Sequence, residues 1–572
     1  MSQRKLKKLR KQKELPILSS SETVCLTDGK GFSKIIRQNW KFLLIIIIGT
    51  ILLYVNGLRG DFVSDDYATI PQNPIVANLG QSLKTTPNLV NLSNTVIAMI
   101  FGIKSSAPYH IYNLMIFLID EILMFVFVYL LMGRSLAMLS TAMFAVHPIH
   151  VEAVTWISGR PYSLFALFTL IILICIILFL INKKIKYIVT ATICTFLAYK
   201  TDGARTLSLA FILPLCLTYT ISLTRIKINW AKFLGVGCLV TVLVAIVLWP
   251  AIIGRIRVVN SGYNMSESIF YNPFFQYPTA VTKYLQLLVV PIDLTLYHTM
   301  YTLPAWLNWV VFVTYMGTVI YSLFRDRRIS FALAFIFIGA AASMAPVKVA
   351  WLVAERYMFL GSLGFCIFLS IIIFKLWKIN RYISVAVLSV LLTCWSIRTV
   401  LRNIDWNTNH NLWVNTCQVS PNSHNAWNNI GDDYDKLKDY DNAIKGFTQS
   451  TVVKPNYADA YHNRANIFFK IGRLDLARDS YNTALYYSPA LYQTYISLTQ
   501  IDLIEKNFVL AEQHAKKTME YQPNNPQAGY VLAVVYAQMG KKNESKSVLE
   551  AILRSYPDYK LSKDLLVQLN SL

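Results

Sequence analysis

The fold is decided by stretches such as residues 162–182, which read YSLFALFTLIILICIILFLIN. No charged side chain interrupts this run, and aliphatic and aromatic residues fill nearly all of it. A helix needs roughly 20 apolar residues to cross the hydrocarbon core of a bilayer. The run therefore predicts a membrane-spanning helix, and the basic stretch NKKIK at 182–186 would follow it at the membrane surface.

The composition extends this interpretation to most of the chain. Of the 572 residues, 55% are hydrophobic and only 15% are charged, whereas about a quarter of the residues in a soluble domain are charged. Further apolar runs occur at 41–57, 111–131, 135–147, 187–199, 206–223, 231–252, 305–324, 330–345, 357–374 and 382–399. The sequence thus predicts an all-α, polytopic domain over residues 41–400 with about eleven membrane helices.

The positive charge is distributed as a topology signal. The net charge is +23, but no nucleic-acid recognition motif accompanies it. Basic clusters lie in the tail 1–40 and at 182–186, 224–227, 325–328 and 375–381. Because cytoplasmic loops are enriched in Lys and Arg, we expect all of these clusters to be cytoplasmic. That arrangement requires the apolar segment 283–294, broken by Pro291, to be interfacial or re-entrant, and it places the residues after about 400 outside the cytoplasm.

A different pattern begins at residue 424. Pro455, Pro489, Pro523 and Pro557 recur every 34 residues, which is the period of the tetratricopeptide repeat. The same period relates Trp427, Tyr461 and Tyr495, and also Ala443, Ala477 and Ala511. We predict four repeats over 424–559, a preceding linker and half-repeat at 401–423, and a capping helix at 560–572. They would form an α-solenoid with a concave binding surface; the alternative is a spacer or assembly scaffold.

With this topology, several outward segments carry charges that the positive-inside rule does not explain. The acids are Asp65, Asp66, Glu152 and Glu355, and the bases are Arg160, Lys200, Arg205, Arg257, Lys348 and Arg356. Charged groups at membrane depth cost free energy and usually mark function. A carboxylate can accept the proton of an acceptor hydroxyl, and Arg or Lys can bind a phosphate and stabilise the charge growing on it. The combination predicts sugar transfer from a lipid-phosphate donor.

Four motifs, together with the repeats, carry a family resemblance. They are DFVSDDYATIPQNPIV at 61–76, HPIHVEAVTWISGR at 147–160, KYLQLLVVPIDL at 283–294 and ERYMFLGSLGF at 355–365. In this order, from about residue 41 to the end, the chain resembles the transmembrane and tetratricopeptide-repeat-containing O-mannosyltransferases and their microbial relatives. The resemblance implies a type C glycosyltransferase (GT-C) fold. It also implies inverting transfer of a sugar, mannose in the family, from a polyprenyl-phosphate donor to a protein Ser or Thr or to a glycan hydroxyl.

The resemblance implies a role for the acid pair, and the residue types predict roles for the other residues. The pair Asp65–Asp66 would supply the general base, with a slight preference for Asp66, and the alternative is that these residues cap a turn. Glu152 would orient the acceptor or form an ion pair with Arg160. The predicted phosphate-binding residues are Arg160, Lys200, Arg205, Lys348 and Arg356, and the predicted supporting residues are His147, His150, Glu355 and Tyr357.

The histidine pair is not spaced as a standard metal site. His147 and His150 are three residues apart with Pro148 between them, which favours hydrogen-bonding roles over metal binding. The sequence therefore indicates no cofactor. A requirement for a divalent metal is compatible with the sequence but is not indicated by it.

The expected partners are the polyprenyl-phosphate-linked donor, a protein acceptor held by the repeats, and the lipid bilayer, without nucleic acid. The chain has four full repeats, fewer than the animal members of the family carry. That difference favours a microbial relative in a bacterial or archaeal plasma membrane over a protein of the endoplasmic reticulum. Two other functions stay open: a polymerase or ligase that acts on lipid-linked oligosaccharides, and a non-enzymatic membrane-anchored repeat scaffold.

Overall fold

The structure is a computed structural model that describes residues 31–85, 88–224, 249–250, 253–254, 272–340 and 351–571. Within these ranges the regular secondary structure is helical, and no β-strand occurs. The predicted all-α class is thereby confirmed for the described part of the chain. Of the predicted elements, most of the apolar run at 231–252 and part of the run at 330–345 lie outside these residues, as do Arg257 and Lys348.

The chain divides into two compact units, residues 1–415 and 416–572. The α-helices of the first unit are α1 Phe32–Tyr54, α2 Asp66–Thr69, α3 Leu79–Thr85, α4 Leu89–Phe101, α5 Ala107–Met132, α6 Arg134–Val146, α7 Val151–Val154, α8 Arg160–Asn182, α9 Lys186–Thr201, α10 Leu209–Thr224, α11 Pro273–Val289, α12 Ala305–Arg325, α13 Arg327–Gly339, α14 Gly361–Ile379 and α15 Arg381–Asp405. Helix α16, Asn409–Val419, begins in this unit. Short 3-10 helices lie at Gly57–Arg59, Pro148–His150, Ile157–Gly159, Arg205–Ser208 and Glu355–Met358.

Seven helices in the described ranges are long and apolar enough to span a membrane, or eight if the bent pair α6 and Pro148–Val154 forms one span. They coincide with α1, α5, α8, α10, α12, α14 and α15. The predicted number of about eleven is not confirmed, because α9 and α13 have only 16 and 13 residues, fewer than the roughly 20 needed for a perpendicular span. Helix α11, which contains most of segment 283–294, is not among the candidate spans.

The spans differ in how far they are buried inside the protein. In the most apolar window of α5, 78% of the residues are buried, compared with 17% in α12 and in α15. A helix that is apolar on all sides suits either a protein core or lipid, so α5 is a central helix and the other two are peripheral.

Close packing between α13 and α14 fixes the segment that precedes α14. A Cβ atom at Gly364 would lie 2.5 Å from the carbonyl oxygen of Ala332 and 2.8 Å from the nitrogen of Ile336. Only glycine allows the two backbones to come so close. This contact anchors α14 one turn after the Glu355–Met358 segment, which carries three of the predicted site residues.

The second unit contains the predicted repeats as helix pairs. Its helices are α17 His424–Lys436, α18 Tyr440–Val453, α19 Ala458–Lys470, α20 Leu474–Tyr487, α21 Tyr492–Ile504, α22 Phe508–Tyr521, α23 Pro526–Gln538, α24 Lys542–Ser555 and α25 Lys560–Ser571. Small residues let the helices of a pair approach each other: a Cβ atom at Gly431 would lie 2.8 Å from the Phe447 ring. Between successive pairs, Phe447 packs with Ala443 and Ile467 in one buried cluster. Helix α15 continues to Asp405 and α16 spans part of 401–423, so the boundaries of the predicted linker stay a prediction.

Candidate active site

The segment 61–66, after α1, is attached to the turn before α8 through Asp66. This residue begins α2 and is fully buried. Its Oδ1 accepts hydrogen bonds from the backbone N–H of Ser158 at 2.8 Å and from the Ser158 hydroxyl at 2.5 Å, and its Oδ2 accepts one from the Val63 N–H at 3.1 Å. Burial raises the pKa of Asp66 to about 7, although these hydrogen bonds oppose the shift. Asp66 therefore joins two loops with both of its carboxylate oxygens.

Asp65 has different surroundings, although it is the adjacent residue. Its side chain is exposed, and it makes no N-capping hydrogen bond to α2. The surrounding protein nevertheless raises the pKa of the Asp65 carboxyl group, and the neighbouring charge of Arg356 partly opposes this. Of the two predicted bases, Asp65 is thus the one whose carboxylate remains accessible, with a basicity above that of an ordinary aspartate.

Glu152 forms an ion pair with Arg356, and not with Arg160. The Glu152 carboxylate is fully buried. Its Oε1 accepts from Nη1 of Arg356, and its Oε2 accepts from the backbone N–H of Arg356 at 2.7 Å. Burial alone would lower the pKa of Arg356, but the Glu152 carboxylate outweighs it and raises that pKa well above its usual range. Arg356 therefore keeps its positive charge inside the protein.

Tyr162 brings a second arginine to this ion pair. Nε of Arg356 donates to the Tyr162 hydroxyl at 3.2 Å. The guanidinium carbon of Arg205 lies 3.9 Å from the centre of the Tyr162 ring, and Tyr357 packs 5.8 Å from it. Nε of Arg205 also lies 3.3 Å from Oδ2 of Asp202. We call Glu152, Tyr162, Arg205, Arg356 and Tyr357 the arginine–tyrosine cluster; it places two cations against aromatic faces, where they are stabilised by attraction to the rings.

Lys200 lies near the end of α9, a few residues before Arg205. Its Nζ atom is 5.7 Å from the centre of the Phe196 ring and 6.0 Å from that of Tyr199. No acidic side chain pairs with it among the residues that the structure describes. Lys200 is half-buried, with its charge beside two aromatic rings.

Arg160 makes its side-chain hydrogen bonds to residues outside the arginine–tyrosine cluster. The side chain is fully buried. Its Nε donates to Oδ1 of Asn113 at 2.6 Å, and its Nη1 donates to Oγ of Ser93 at 2.7 Å and to Oδ1 of Asn94 at 2.5 Å. These partners are on α4 and α5, so Arg160 connects the start of α8 to two other helices.

Glu355 forms a buried ion pair with Arg402. Its Oε1 accepts from Nη2 of Arg402 at 3.0 Å and from the backbone N–H of Thr295 at 2.5 Å. Burial alone would raise the pKa of Glu355, but the guanidinium of Arg402 outweighs it, and the pKa is lowered. His298 lies 3.7 Å from the same carboxylate, and Asp405 lies 3.1 Å from Nη1 of Arg402. Glu355 thus anchors the segment that presents Arg356.

The two predicted supporting histidines are buried in the helix core. Nε2 of His147 lies 2.9 Å from the carbonyl oxygen of Leu288, and Nε2 of His150 lies 2.7 Å from the Ser362 hydroxyl. Both contacts are hydrogen bonds, as the sequence favoured. Within the described ranges, no three His, Cys, Asp or Glu side chains come together as a group that could hold a metal.

Three residues of this region were not among the predicted site residues: Ser158, Tyr162 and Arg402. Arg402 had a sequence signal, because it follows Arg398 by one helical turn at the predicted outward end of the last span, where the positive-inside rule disfavours both. Ser158 and Tyr162 carry no such signal, since their roles depend on partners 92 and 194 positions away.

Comparison with known proteins gives matches for both units. Tetratricopeptide-repeat family models match residues 424–457, 458–491 and 502–569. The chain is 24% identical to the human protein O-mannosyl-transferase TMTC3, over 91% of this chain and 68% of that protein. The mouse protein of the same name is also 24% identical, over 88% and 66%. The Caenorhabditis elegans protein O-mannosyl-transferase F38B6.6 is 26% identical, over 73% and 64%.

The chain therefore spans about two thirds of the length of these relatives. The predicted resemblance and the predicted repeats are confirmed. These relatives are animal proteins, and the microbial origin expected from the sequence stays a prediction. Among solved structures, the crystal structure of MamA matches 28% of this chain and 94% of that chain, with 17% identity and a TM-score of 0.25.

Proposed function

We propose that this chain, a homologue of the protein O-mannosyl-transferases, transfers mannose from a polyprenyl-phosphate donor to a Ser or Thr hydroxyl of a protein on the extracytoplasmic side of a membrane. One observation carries the proposal. Asp65 has an accessible carboxylate with a raised pKa. The charge of Arg356, in the arginine–tyrosine cluster, interacts with this carboxylate. A base and a cationic site at adjoining positions are the two elements that glycosyl transfer from a phosphate requires.

Asp65 would act as the general base. The acceptor hydroxyl oxygen attacks the anomeric carbon of the sugar while the hydroxyl proton passes to the Asp65 carboxylate. The bond between the anomeric carbon and the phosphate oxygen breaks, and its electron pair leaves with the polyprenyl phosphate. A single displacement of this kind inverts the anomeric configuration. Asp66 is the weaker candidate, because Ser158 and Val63 occupy both of its oxygens.

The arginine–tyrosine cluster would bind the donor phosphate. The leaving phosphate gains negative charge as the sugar departs, and fixed cations stabilise that charge more in the transition state than in the ground state. Arg205, Arg356 and Lys200 would supply them. Glu152 would hold Arg356 in place, so that its role is in positioning the cation. Arg160 would stabilise the fold, since its hydrogen bonds go to Asn94, Asn113 and Ser93.

Sugar release from purified membranes tests the proposal. Membranes that contain the protein are incubated with radiolabelled polyprenyl-phosphate mannose, other polyprenyl-phosphate sugars, or lipid-linked oligosaccharides, together with a Ser/Thr-rich acceptor peptide. We expect transfer from the mannose donor that is lost in Asp65→Asn. Asp61→Asn, an exposed residue four positions earlier in the same segment, is the matched control and should keep activity.

Three results would contradict the proposal in different ways. A preference for oligosaccharide donors would favour the polymerase or ligase. Full activity of Asp65→Asn would remove Asp65 as the base. No transfer from any donor, with unchanged binding of a partner protein in Asp65→Asn, would favour the repeat scaffold.

A further inference from the structure

Ser64, the residue before Asp65, has a backbone conformation that needs an external support. Its φ angle is +53°, which is in the left-handed region. Residues with a Cβ atom are strained there and remain in it only when surrounding contacts determine the conformation. The other non-glycine residues with positive φ in the described part of the chain, Lys183, Lys438 and Lys506, lie just after helices, where the left-handed conformation is common. Ser64 instead precedes α2.

The support comes from residues more than 300 positions away. The side-chain oxygen Oδ1 of Asn409 accepts the backbone N–H of Ser64 at 2.8 Å. The carbonyl oxygen of Asn407 accepts the backbone N–H of Asp61, also at 2.8 Å. These residues follow the last candidate span, and Asn409 is the first residue of α16. The segment 407–409 therefore fixes the backbone of 61–64 at two points.

The remaining contacts of this loop leave Ser64 as its adjustable residue. Phe62 is buried and packs edge-to-face on Tyr109 at 5.7 Å, and the Val63 N–H is bound by Asp66. On the other side of Asp65, Asp66 is held by its two hydrogen bonds from Ser158. Ser64 and Asp65 thus lie between two fixed points, and loss of the Asn409 contact would let the backbone at Ser64 relax and turn the Asp65 carboxylate relative to Arg356.

We infer that Asn409 is a positioning residue for Asp65: its side-chain oxygen fixes the left-handed backbone of Ser64 and thereby directs the Asp65 carboxylate. The inference rests on the proposed function, in which Asp65 is the general base. It adds that the segment after the last span completes the geometry of the first external loop. Small errors in the placement of a catalytic group lower the rate strongly, by up to about a hundred-fold for about 1 Å.

The test separates the backbone contact from its effect on catalysis. The variants are Asn409→Leu, which removes the acceptor at similar size, and Asn409→Asp, which keeps an acceptor oxygen. The matched control is Asn411→Leu on the same helix, whose side chain donates to the carbonyl oxygen of Ile404 and does not contact residues 61–66 in the described structure. Hydrogen exchange of the peptide 61–66, measured by mass spectrometry on the full-length protein, reports the contact without reference to activity. We expect faster exchange in Asn409→Leu only.

Sugar transfer is measured on the same preparations. We expect Asn409→Leu to lower kcat about ten- to a hundred-fold. The KM for the donor should be unchanged, because the donor phosphate would bind at the arginine–tyrosine cluster and not at Asp65. Asn409→Asp should restore most of kcat.

The possible failures are distinguishable. Unchanged exchange in Asn409→Leu would overturn the inference whatever the activity. Faster exchange with an undiminished kcat, while Asp65→Asn is inactive, would also overturn it, because the contact would then be structural only. Faster exchange together with a fully active Asp65→Asn would instead contradict the proposed function.

Discussion

The carboxylate of Asp66 accepts two hydrogen bonds from Ser158, one from its backbone N–H at 2.8 Å and one from its hydroxyl at 2.5 Å. This contact joins the segment after α1 to the turn that begins α8. It also separates two adjacent carboxylates into different environments, because Asp65 is exposed while Asp66 is fully buried.

Replacing Asp66 should destabilise the protein more than replacing Asp65. Asp66→Asn puts an NH2 group where the wild type has an acceptor, and at least one buried donor loses its partner. Such a loss costs about 1–3 kcal/mol. Asp65→Asn should leave stability unchanged, because no hydrogen bond of its side chain is found within the described ranges. Thermal unfolding of both variants in detergent, monitored by fluorescence, checks this. Equal destabilisation of the two would contradict the structural assignment of Asp66.

The stability of the wild type should depend on pH through Asp66. Burial places the pKa of Asp66 at about 7 in the folded protein, whereas an aspartate in an unfolded chain has a pKa of about 3.9. Between these values the folded state binds more protons, so this group's contribution is fully present below about pH 4 and is lost as the pH rises to about 7.

The difference in melting temperature between the wild type and Asp66→Asn measures this contribution. It should decrease from pH 4 to pH 7 and be constant above that. Asp61→Asn, on the exposed part of the same segment, serves as the control. A difference that increases with pH would mean that the hydrogen bonds from Ser158 and Val63 dominate over burial.

Donor affinity should depend on the cations near the junction of α9 and α10, Lys200 and Arg205. Replacing Lys200 or Arg205 by Gln should weaken binding of polyprenyl-phosphate mannose about ten- to a hundred-fold, as expected for the loss of a charge-assisted contact worth roughly 1.5–3 kcal/mol. Lys186→Gln, at the other end of α9, is the control and should bind normally.

Arg160→Gln should lower stability and leave donor affinity unchanged in the folded fraction. Isothermal titration in nanodiscs distinguishes these outcomes, and normal affinity of both Lys200→Gln and Arg205→Gln would remove them from the phosphate site.

The sequence predicted features with local signals better than features that depend on long-range contacts. The repeats follow a 34-residue period that is visible in Pro455 and its successors, and the helix pairs match it. The number of spans was harder to predict, because α9 and α13 are apolar but short, and apolar composition does not distinguish a buried helix from one that crosses a bilayer. The charges of the loops indicate on which side of the membrane each loop lies, but they do not determine which of the apolar runs cross it.

The pairing of charges at the site could not be read from the sequence. Glu152 pairs with Arg356, which is 204 positions away in the sequence. Arg160 is only eight positions from Glu152, but it forms hydrogen bonds with Asn113 and Asn94 instead. Spacing along the chain carries no information about such partners when the residues between them form several helices. The different environments of Asp65 and Asp66 arise in the same way, because they depend on Ser158 and Arg356.

Removing Arg402 should destabilise the protein strongly. Its guanidinium is fully buried with Glu355, at 3.0 Å and 3.3 Å. Arg402→Gln leaves the Glu355 carboxylate buried without its cation, which costs about 3–5 kcal/mol. The double variant Arg402→Gln with Glu355→Gln removes both charges and should recover part of the loss. Thermal unfolding of the single and double variants measures the coupling. A double variant that is as unstable as the sum of its singles would show that the two residues act independently.

Labelling of engineered cysteines tests the predicted topology and, with it, the side on which the site lies. The basic clusters at 325–328 and 375–381 are expected in the cytoplasm with the tail 1–40, and the repeats outside it. In intact cells or sealed vesicles, Arg328→Cys should react with a membrane-impermeant maleimide only from the cytoplasmic side, and Lys470→Cys, on the second repeat, only from the opposite side. The background should lack Cys394, the exposed cysteine in the described ranges. Labelling of both positions from one side would contradict the charge-based topology. Labelling of Lys470→Cys from the cytoplasm alone would place the repeats, and any acceptor they bind, in the cytoplasm, where a donor facing outward could not reach it.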